Sequence, residues 1–248
     1  SDYLDSPFFG EESISHERLI DFEFGYRYLA KKWATEIGFY HMDYKDQLIA
    51  TGMLNDVGSS VRVNVPSSFR QGIEIQAGVE FQPRFRWDGN LTVSRNQINV
   101  FSEILYDYNP DFEYSNSVNH VNTDISFSPA FIAASVFGYD VWSNDEIQIK
   151  CELSTKYVGK QYLDNTSNDS RSLPGYVVND VVLSLSNSFK NGGDLQLSVF
   201  ANNILDNMYS ANGWTYSHLN GGLNAITTEN YVYPQAGRHG FVNLTMTF

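Results

Sequence analysis

The sequence contains a single cysteine, Cys151, and no run of about 18 apolar residues. One thiol cannot form an internal disulfide, so a disulfide framework does not hold the fold together. A membrane-spanning helix needs about 20 mainly apolar residues, and the sequence therefore predicts no such helix. Basic residues are also few, because 16 Lys and Arg against 29 Asp and Glu give a net charge of -13. This charge argues against a protein that binds nucleic-acid phosphates.

Aromatic residues are abundant instead, at 15% of the chain, with 16 Tyr and 17 Phe beside many Ser, Asn, Thr and Gly. Aromatic residues favour strands and small polar residues favour turns, so this mixture indicates an all-β protein. The apolar content of 42% is ordinary for a soluble protein. It is also compatible with a membrane β-barrel, because barrel strands alternate apolar and polar residues and do not raise the average hydropathy.

Nine segments have the alternating pattern of a strand with one apolar and one polar face. The clearest is the third, where Ile73 and Ile75 alternate with Glu74 and Gln76. In the fifth, Pro129 cannot donate a sheet hydrogen bond, and it predicts a bulge. The predicted strands span residues 19–28, 33–49, 61–82, 87–106, 123–137, 147–156, 181–188, 195–202 and 240–248.

The connections between these strands alternate between short and long. The short ones follow Ala30, Gln82, Phe137 and Lys190, and the long ones follow Ile49, Tyr106, Tyr162 and Leu205. Outer-membrane barrels have this asymmetry, with short periplasmic turns at one end and long extracellular loops at the other. Several strands also exceed ten residues, whereas soluble strands usually have about 5 or 6. An antiparallel transmembrane β-barrel is therefore the favoured fold, and the alternative is a soluble carbohydrate-binding β-sandwich.

The alternation also predicts which side chains face lipid, since a register shift of one residue would invert every assignment. The side chains expected to face lipid are Ile73, Ile75, Val79, Leu91, Val93, Leu183, Leu195, Leu197, Leu244 and Met246. Those expected to face the barrel interior are Glu74, Gln76, Asn90, Ser184, Gln196, Asn243 and Thr245.

Three segments resemble TonB-dependent outer-membrane receptors. Residues 202–209, Asn-Asn-Ile-Leu-Asp-Asn-Met-Tyr, are similar to an Asn-(Leu/Ile)-x-Asp-x-x-Tyr motif near the end of that family's barrel. Residues 17–27 look like one of the family's strands. The last residues resemble the signal by which outer-membrane barrels are recognised for assembly, with apolar residues at alternate positions before a final Phe. In this chain the signal positions are Gly240, Val242, Leu244, Met246 and Phe248.

The resemblance implies a barrel of about 22 strands, an N-terminal plug domain and a TonB-contacting box. This sequence has about nine strands and neither plug nor box. Residues 1–248 are therefore expected to form a single, incomplete domain, the C-terminal part of the barrel, with the plug domain absent. The implied location is the outer membrane of a Gram-negative bacterium.

The function implied by the resemblance is import of a scarce nutrient, an iron-siderophore or a related metal chelate, powered by the TonB system. The implied partners are outer-membrane lipid and lipopolysaccharide, the TonB system acting through the plug, the barrel assembly machinery and the small-molecule chelate. No cofactor is expected. The five histidines lack metal-ligand spacing and no catalytic motif is present, so the sequence does not predict an enzyme.

The predicted loops contain aromatic residues beside hydrogen-bonding groups, a combination that suits a rigid small ligand. The expected ligand contacts are Tyr106, Tyr108, Tyr114, Tyr162, Arg171, Trp214, Tyr216 and His218. The alternative is that these residues form a membrane-interface girdle or pack the loops together. Acidic loop residues oppose almost only Arg171, so charge would not attract an anionic chelate. These acidic residues are Asp107, Asp111, Glu113, Asp164, Asp169 and Glu229.

Overall fold

The computed structural model describes residues 15–54, 60–111, 115–189 and 192–248. These ranges contain 14 strands and a short 3₁₀ helix, Asp169–Arg171. The strands are β1 (Arg18–Ala30), β2 (Trp33–Leu54), β3 (Ser60–Gln82), β4 (Phe85–Tyr106), β5 (Ser115–Asp124), β6 (Phe131–Ser143), β7 (Ile147–Val158), β8 (Gln161–Tyr162), β9 (Ser172–Leu173), β10 (Tyr176–Ser188), β11 (Asp194–Asn202), β12 (Ser210–Leu219), β13 (Ile226–Pro234) and β14 (His239–Thr247). None of the described helices is long and apolar enough to cross a membrane.

Nine strands lie side by side in one antiparallel sheet, in the order β1-β2-β3-β4-β6-β7-β10-β11-β14, and β5 pairs with the end of β4 nearest the long loops. The prediction of about nine antiparallel strands is confirmed. The terminal strand pairs with the eighth strand of the sequence prediction, as expected, with Leu244 opposite Leu197. In the described ranges β1 and β14 are the two edges of the sheet and do not pair with each other. The barrel is therefore not closed within this chain.

Several segments differ from the sequence prediction. The predicted short turn directly after Phe137 is wrong, because β6 continues to Ser143 before the chain turns. β5 lies mostly in the predicted loop 107–122, and β12 and β13 form a hairpin within the predicted loop 206–236. The predicted strand 123–137 is wrong, because β5 ends at Asp124 and β6 begins only at Phe131. Pro129 lies in this connection, and the chain leaves the sheet where proline offers no N–H to a neighbouring strand.

One face of the sheet carries the apolar side chains along most of its width. Ile37, Ile75 and Leu91 lie opposite one another in neighbouring strands, and residues directly opposite share a face. The strand pairs place all ten positions predicted to face lipid on this apolar face and all seven predicted interior positions on the other, polar face. The apolar face remains open, with Phe24 71% exposed. The predicted alternation is confirmed, and contact with lipid stays a prediction.

Beyond the middle of β2 to β5, toward the long loops, several apolar side chains are buried by packing against one another. Asp46 in β2 and Asn122 in β5 have positive φ angles of 54° and 53°, which interrupt the regular alternation. In β3, Val65 and Ser68 are both buried although they are three residues apart, so the alternation also breaks between them. The buried apolar side chains pack into what we call the loop-end core. It consists of Ile49, Val65, Ile98, Phe101 and Ile125.

Candidate ligand-binding site in the loops

Three of the predicted ligand contacts meet above the loop-end core. The hydroxyls of Tyr108 and Tyr216 share a hydrogen bond, although the residues are 108 positions apart in the chain. The His218 ring lies 5.4 Å from that of Tyr108, edge to face, and 5.5 Å from that of Tyr216, stacked. Tyr108 is 58% exposed. We call these three residues the aromatic cluster; Tyr108 is its exposed member, whereas Tyr216 and His218 are partly buried.

Asp107 holds the aromatic cluster together by fixing the β12–β13 hairpin to the end of β4. Its carboxylate accepts hydrogen bonds from the backbone N–H groups of Asn109, Gly221 and Gly222, at 2.9, 3.0 and 2.6 Å. Gly221 and Gly222 have positive φ, the conformation that lets two successive N–H groups point at one carboxylate. Burial alone would raise the pKa of Asp107, but the three donors outweigh it, and the pKa lies below its ordinary value.

Arg171 lies in a buried ion cluster and not on the accessible surface, since its residue exposure is only 3%. Its Nη1 donates to Glu103 Oε1 and, at 2.9 Å, to Asp164 Oδ2. The Nε2 atom of His120 lies 2.8 Å from the other oxygen of Glu103. Burial disfavours the charged guanidinium, but the two carboxylates outweigh it, so the pKa of Arg171 is raised. We call these four residues the ion cluster, and it joins β4 and β5 to the segment between β7 and β10.

Tyr162 lies at the surface of that same segment, in a separate group. Its hydroxyl donates to Asp169 Oδ1 at 2.9 Å and accepts from Lys160 Nζ at 3.0 Å. Lys160 also donates to Asp169 at 2.6 Å, and these two hydrogen bonds raise the pKa of Lys160. The expectation that Arg171 is almost the only basic side chain of these loops therefore overlooked Lys160.

The remaining predicted contacts are divided among different positions. Trp214 stacks on Tyr231 across the hairpin, with ring centroids 4.5 Å apart and planes 11° apart. Tyr106 is almost completely buried at the end of β4. Tyr114 lies outside the described residues. The structure thus joins Tyr108, Tyr216 and His218, places Trp214 on the same hairpin, and separates Tyr106, Tyr162 and Arg171 from them.

A cavity of about 320 Å³ lies directly beneath the hairpin, between β3, β4 and the segment that follows β7. Tyr216 and Thr215 line its side nearest the hairpin, and Arg171 lines its side nearest the ion cluster. Such a volume is at the lower end of the range for small-molecule sites. Among the described His, Cys, Asp and Glu side chains, no group of three could hold a metal ion.

Sequence reasoning missed Glu103 and His120, which complete the ion cluster. Both lie in long alternating or polar stretches, and Glu103 is 68 residues from its partner Arg171. No local motif signals such a contact. The only available signal was charge: a single Arg in an acidic loop region must find carboxylate partners if it is to be buried.

The terminal strand and the motif before it are also positioned clearly. Val242 and Leu244 lie on the apolar face, and a Cβ at Gly240 would come 2.5 Å from the carbonyl oxygen of Phe200, so only glycine fits there. Met246 shares that face, and Phe248 is fully exposed after the strand. The approach of the two strands lets Phe200 stack on Phe241, 4.3 Å apart, on the polar face.

In the motif 202–209, buried Asn203 forms the centre of a turn. Its side-chain amide donates to the carbonyl oxygens of Asn207 and Ala236, at 2.9 and 3.2 Å, and its oxygen accepts from Asn207 N. Asp206 accepts from Arg238 N at 2.7 Å. The motif therefore connects the end of β11 to the segment that enters β14.

A family model described as TonB dependent receptor-like, beta-barrel, matches residues 6–204. With this match over most of its length, the chain belongs to the TonB-dependent receptor family, and it represents part of that family's β-barrel. The resemblance noted in the sequence is confirmed. No curated protein sequence matches the chain.

Solved receptors share this fold at low sequence identity. The ferric yersiniabactin uptake receptor FyuA from Yersinia pestis is 20% identical, with a TM-score of 0.62, over 94% of this chain and 30% of that one. BauA, the ferric preacinetobactin receptor from Acinetobacter baumannii, is 13% identical with a TM-score of 0.61, over 92% and 29%. The copper transporter OprC is 16% identical with a TM-score of 0.61, over 94% and 31%. The chain thus spans about a third of the length of each of these structures.

Proposed function

We propose that this chain forms the C-terminal part of the barrel of an outer-membrane receptor that imports a scarce nutrient. The nutrient we propose is a ferric siderophore or a related metal chelate, and the TonB system supplies the energy through a plug domain. The location is the outer membrane of a Gram-negative bacterium, where lipid and lipopolysaccharide surround the barrel. A soluble carbohydrate-binding sandwich fits less well, because it would not leave a broad apolar face open.

The observation that carries this proposal is the aromatic cluster at the loop end of a TonB-receptor barrel wall. Tyr108, Tyr216 and His218 come from two distant segments, and Asp107 fixes those segments to each other. Aromatic rings with polar edges, held on a rigid support, suit a rigid ligand that is itself partly aromatic and partly polar. Trp214, on the same hairpin, provides a further aromatic ring beside this surface.

Similar solved structures support the proposed class of nutrient. They include receptors for ferric yersiniabactin and ferric preacinetobactin, and a copper transporter. The shared cargo type is a metal or its chelate, and the family model describes receptors and not enzymes. The acidic character of the described loops favours a neutral or cationic chelate over an anionic one.

The proposal is tested with the complete receptor in a strain that lacks its other iron receptors. Uptake of a panel of ⁵⁵Fe-labelled siderophores, with and without a functional TonB protein, should identify a TonB-dependent substrate. For that substrate we expect the double variant Tyr108→Ala, Tyr216→Ala to lose at least about tenfold in affinity per folded receptor. The matched control is Tyr26→Ala, Tyr28→Ala on the apolar face, which should bind normally. Equal affinity of both double variants would contradict the site.

We also propose that Gly240, Val242, Leu244, Met246 and Phe248 act as the assembly signal for the barrel assembly machinery. Val242, Leu244 and Met246 lie on the apolar face of β14, and Phe248 follows them at the end of the strand, fully exposed. Deleting Phe248 should lower the amount of heat-modifiable folded receptor in outer membranes without changing ligand affinity per folded molecule. An unchanged folded yield would show that Phe248 has no assembly role.

A further inference from the structure

The cavity beneath the β12–β13 hairpin combines apolar walls with a charged side. Val65, Phe101 and Leu105 provide apolar wall, and all three are buried. Glu103, Asp164 and Arg171 line the same cavity. Asp164 and Arg171 have side chains only 6% and 4% exposed, so their charges are largely removed from bulk water. Charges in such a place interact strongly with whatever occupies the cavity.

The charged side of the cavity is not electrically balanced. Glu103 and Asp164 contribute two negative charges and Arg171 one positive charge, so the group carries one net negative charge when His120 is neutral. Glu103 Oε1 and Asp164 Oδ2 each accept a hydrogen bond from Arg171 Nη1, and a carboxylate oxygen with one such bond retains acceptor capacity. A buried excess charge is costly unless another group compensates it.

We propose that this cavity binds the ammonium group of a small organic cation whose apolar body packs against Phe101 and Leu105. The cation donates to Glu103 and Asp164 and neutralises the excess charge, and the nearby aromatic ring of Phe101 adds a favourable cation–π interaction. An anion is disfavoured because it would face two carboxylates. The inference goes beyond the proposed transport function, because such a cation would bind whether or not the receptor imports a metal chelate.

The test uses the complete receptor purified in detergent micelles and three probes of one shape: benzylammonium, benzyl alcohol and benzoate. Saturation-transfer NMR and calorimetric titration should show benzylammonium binding at least about tenfold more tightly than benzyl alcohol, with no binding of benzoate.

Two variants assign the binding to this cavity. Glu103→Gln should weaken benzylammonium binding about tenfold, whereas Asp169→Asn removes an equal charge from the exposed Lys160 group and should leave binding unchanged. Glu103→Gln could also disturb the ion cluster, so a second variant is needed. Ser217→Leu fills the cavity from the hairpin side and alters no charge. It should abolish benzylammonium binding. Equal affinity for the three probes, or undiminished binding in Ser217→Leu, would overturn the proposal. Failure of siderophore uptake would not affect it.

Discussion

The sheet uses the same kinds of apolar residue in opposite ways at its two ends. Near the short turns and in the middle, Phe24, Ile73 and Leu244 lie on an open face and are exposed. Near the long loops, Ile98 and Phe101 are completely or almost completely buried. Apolar side chains on the outside of a membrane barrel are stable when exposed, because lipid is an apolar solvent. In water, a part of the chain must bury its own apolar surface. The alternation breaks near Asp46, Pro66 and Asn122, and we propose that the membrane boundary lies at this level.

The polar contacts show the same difference. On the polar face of the wall, the ion pair between Arg27 and Glu36 has side chains 64% and 46% exposed. In the loops, Arg171 is enclosed between two carboxylates. Exposed pairs contribute little because water screens them, but a buried charge that loses its partners remains uncompensated.

Removing Arg171 is expected to have the largest effect. Arg171→Ala leaves Glu103 and Asp164 buried without a cation and should destabilise the loops by about 3 to 5 kcal/mol. The matched change in the wall, Arg27→Ala, should cost about 0 to 1 kcal/mol. Hydrogen exchange of residues 160–175, together with denaturant titration of the receptor in vesicles, measures both. Similar losses in the two variants would mean that the loops and the wall do not differ in this respect.

Truncating a core residue comes next. Ile98 is fully buried in the loop-end core, and Ile98→Ala should cost about 2 to 5 kcal/mol through lost burial and a cavity. Ile73→Ala removes the same atoms from the open apolar face, where lipid can fill the space, so the cost should be much smaller. Denaturant titrations in vesicles compare the pair, and a larger cost at Ile73 would contradict the comparison.

Adding a charge should produce the reverse asymmetry. Leu197→Arg places a guanidinium on the apolar face and should cost about 2 to 4 kcal/mol if the site lies near the bilayer midplane. Gln196→Arg, one residue away on the polar face, should cost much less. Folding titrations of both variants in lipid vesicles provide the measurement. Equal costs would show that the two faces are not exposed to lipid and water respectively.

The smallest expected effect is an acid-dependent loosening of the hairpin. Because the folded-state pKa of Asp107 is lowered, its stabilising contribution is complete above the ordinary value of 3.8 and is lost as the pH falls through the folded-state pKa. A spin label at Asn220, in a Cys151→Ser background, should therefore become more mobile below that pH. In Asp107→Asn the label should already be mobile at neutral pH. If the mobility of the label has the same pH dependence with Asp107 and in Asp107→Asn, then Asp107 does not fix the hairpin to the end of β4.

The nine-stranded sheet was largely predictable from sequence, because a strand with one apolar and one polar face has only one way to distribute its side chains. Ile75 and Gln76 reveal their faces by alternation alone, and the short turns fix which strands are neighbours. The pairing of β14 with β11 followed from the same reasoning. These features depend on local pattern, which the sequence displays directly.

The loop region was much less predictable, for physical reasons visible in particular residues. β5 reads Ser-Asn-Ser-Val-Asn-His-Val-Asn-Thr-Asp, which resembles a loop because its strand conformation comes from pairing with β4 and not from its own apolar pattern. The β12–β13 hairpin depends on a clamp between Asp107 and glycines 114 and 115 residues away. Composition pointed to Tyr108, Tyr216 and His218, but only the fold could separate them from Arg171.

We propose that the lipid-facing alternation of β3 ends near Pro66. Single spin labels at positions 63, 65, 73, 74 and 75, in a Cys151→Ser background and in proteoliposomes, can be probed with oxygen, which concentrates in lipid, and with a water-soluble nickel complex. We predict high oxygen accessibility at Ile73 and Ile75, access to nickel at Glu74, and low access to both reagents at Val63 and Val65. High oxygen accessibility at every odd position, including 63 and 65, would show that the apolar face continues unbroken into the loops, and a boundary near Pro66 would then be wrong.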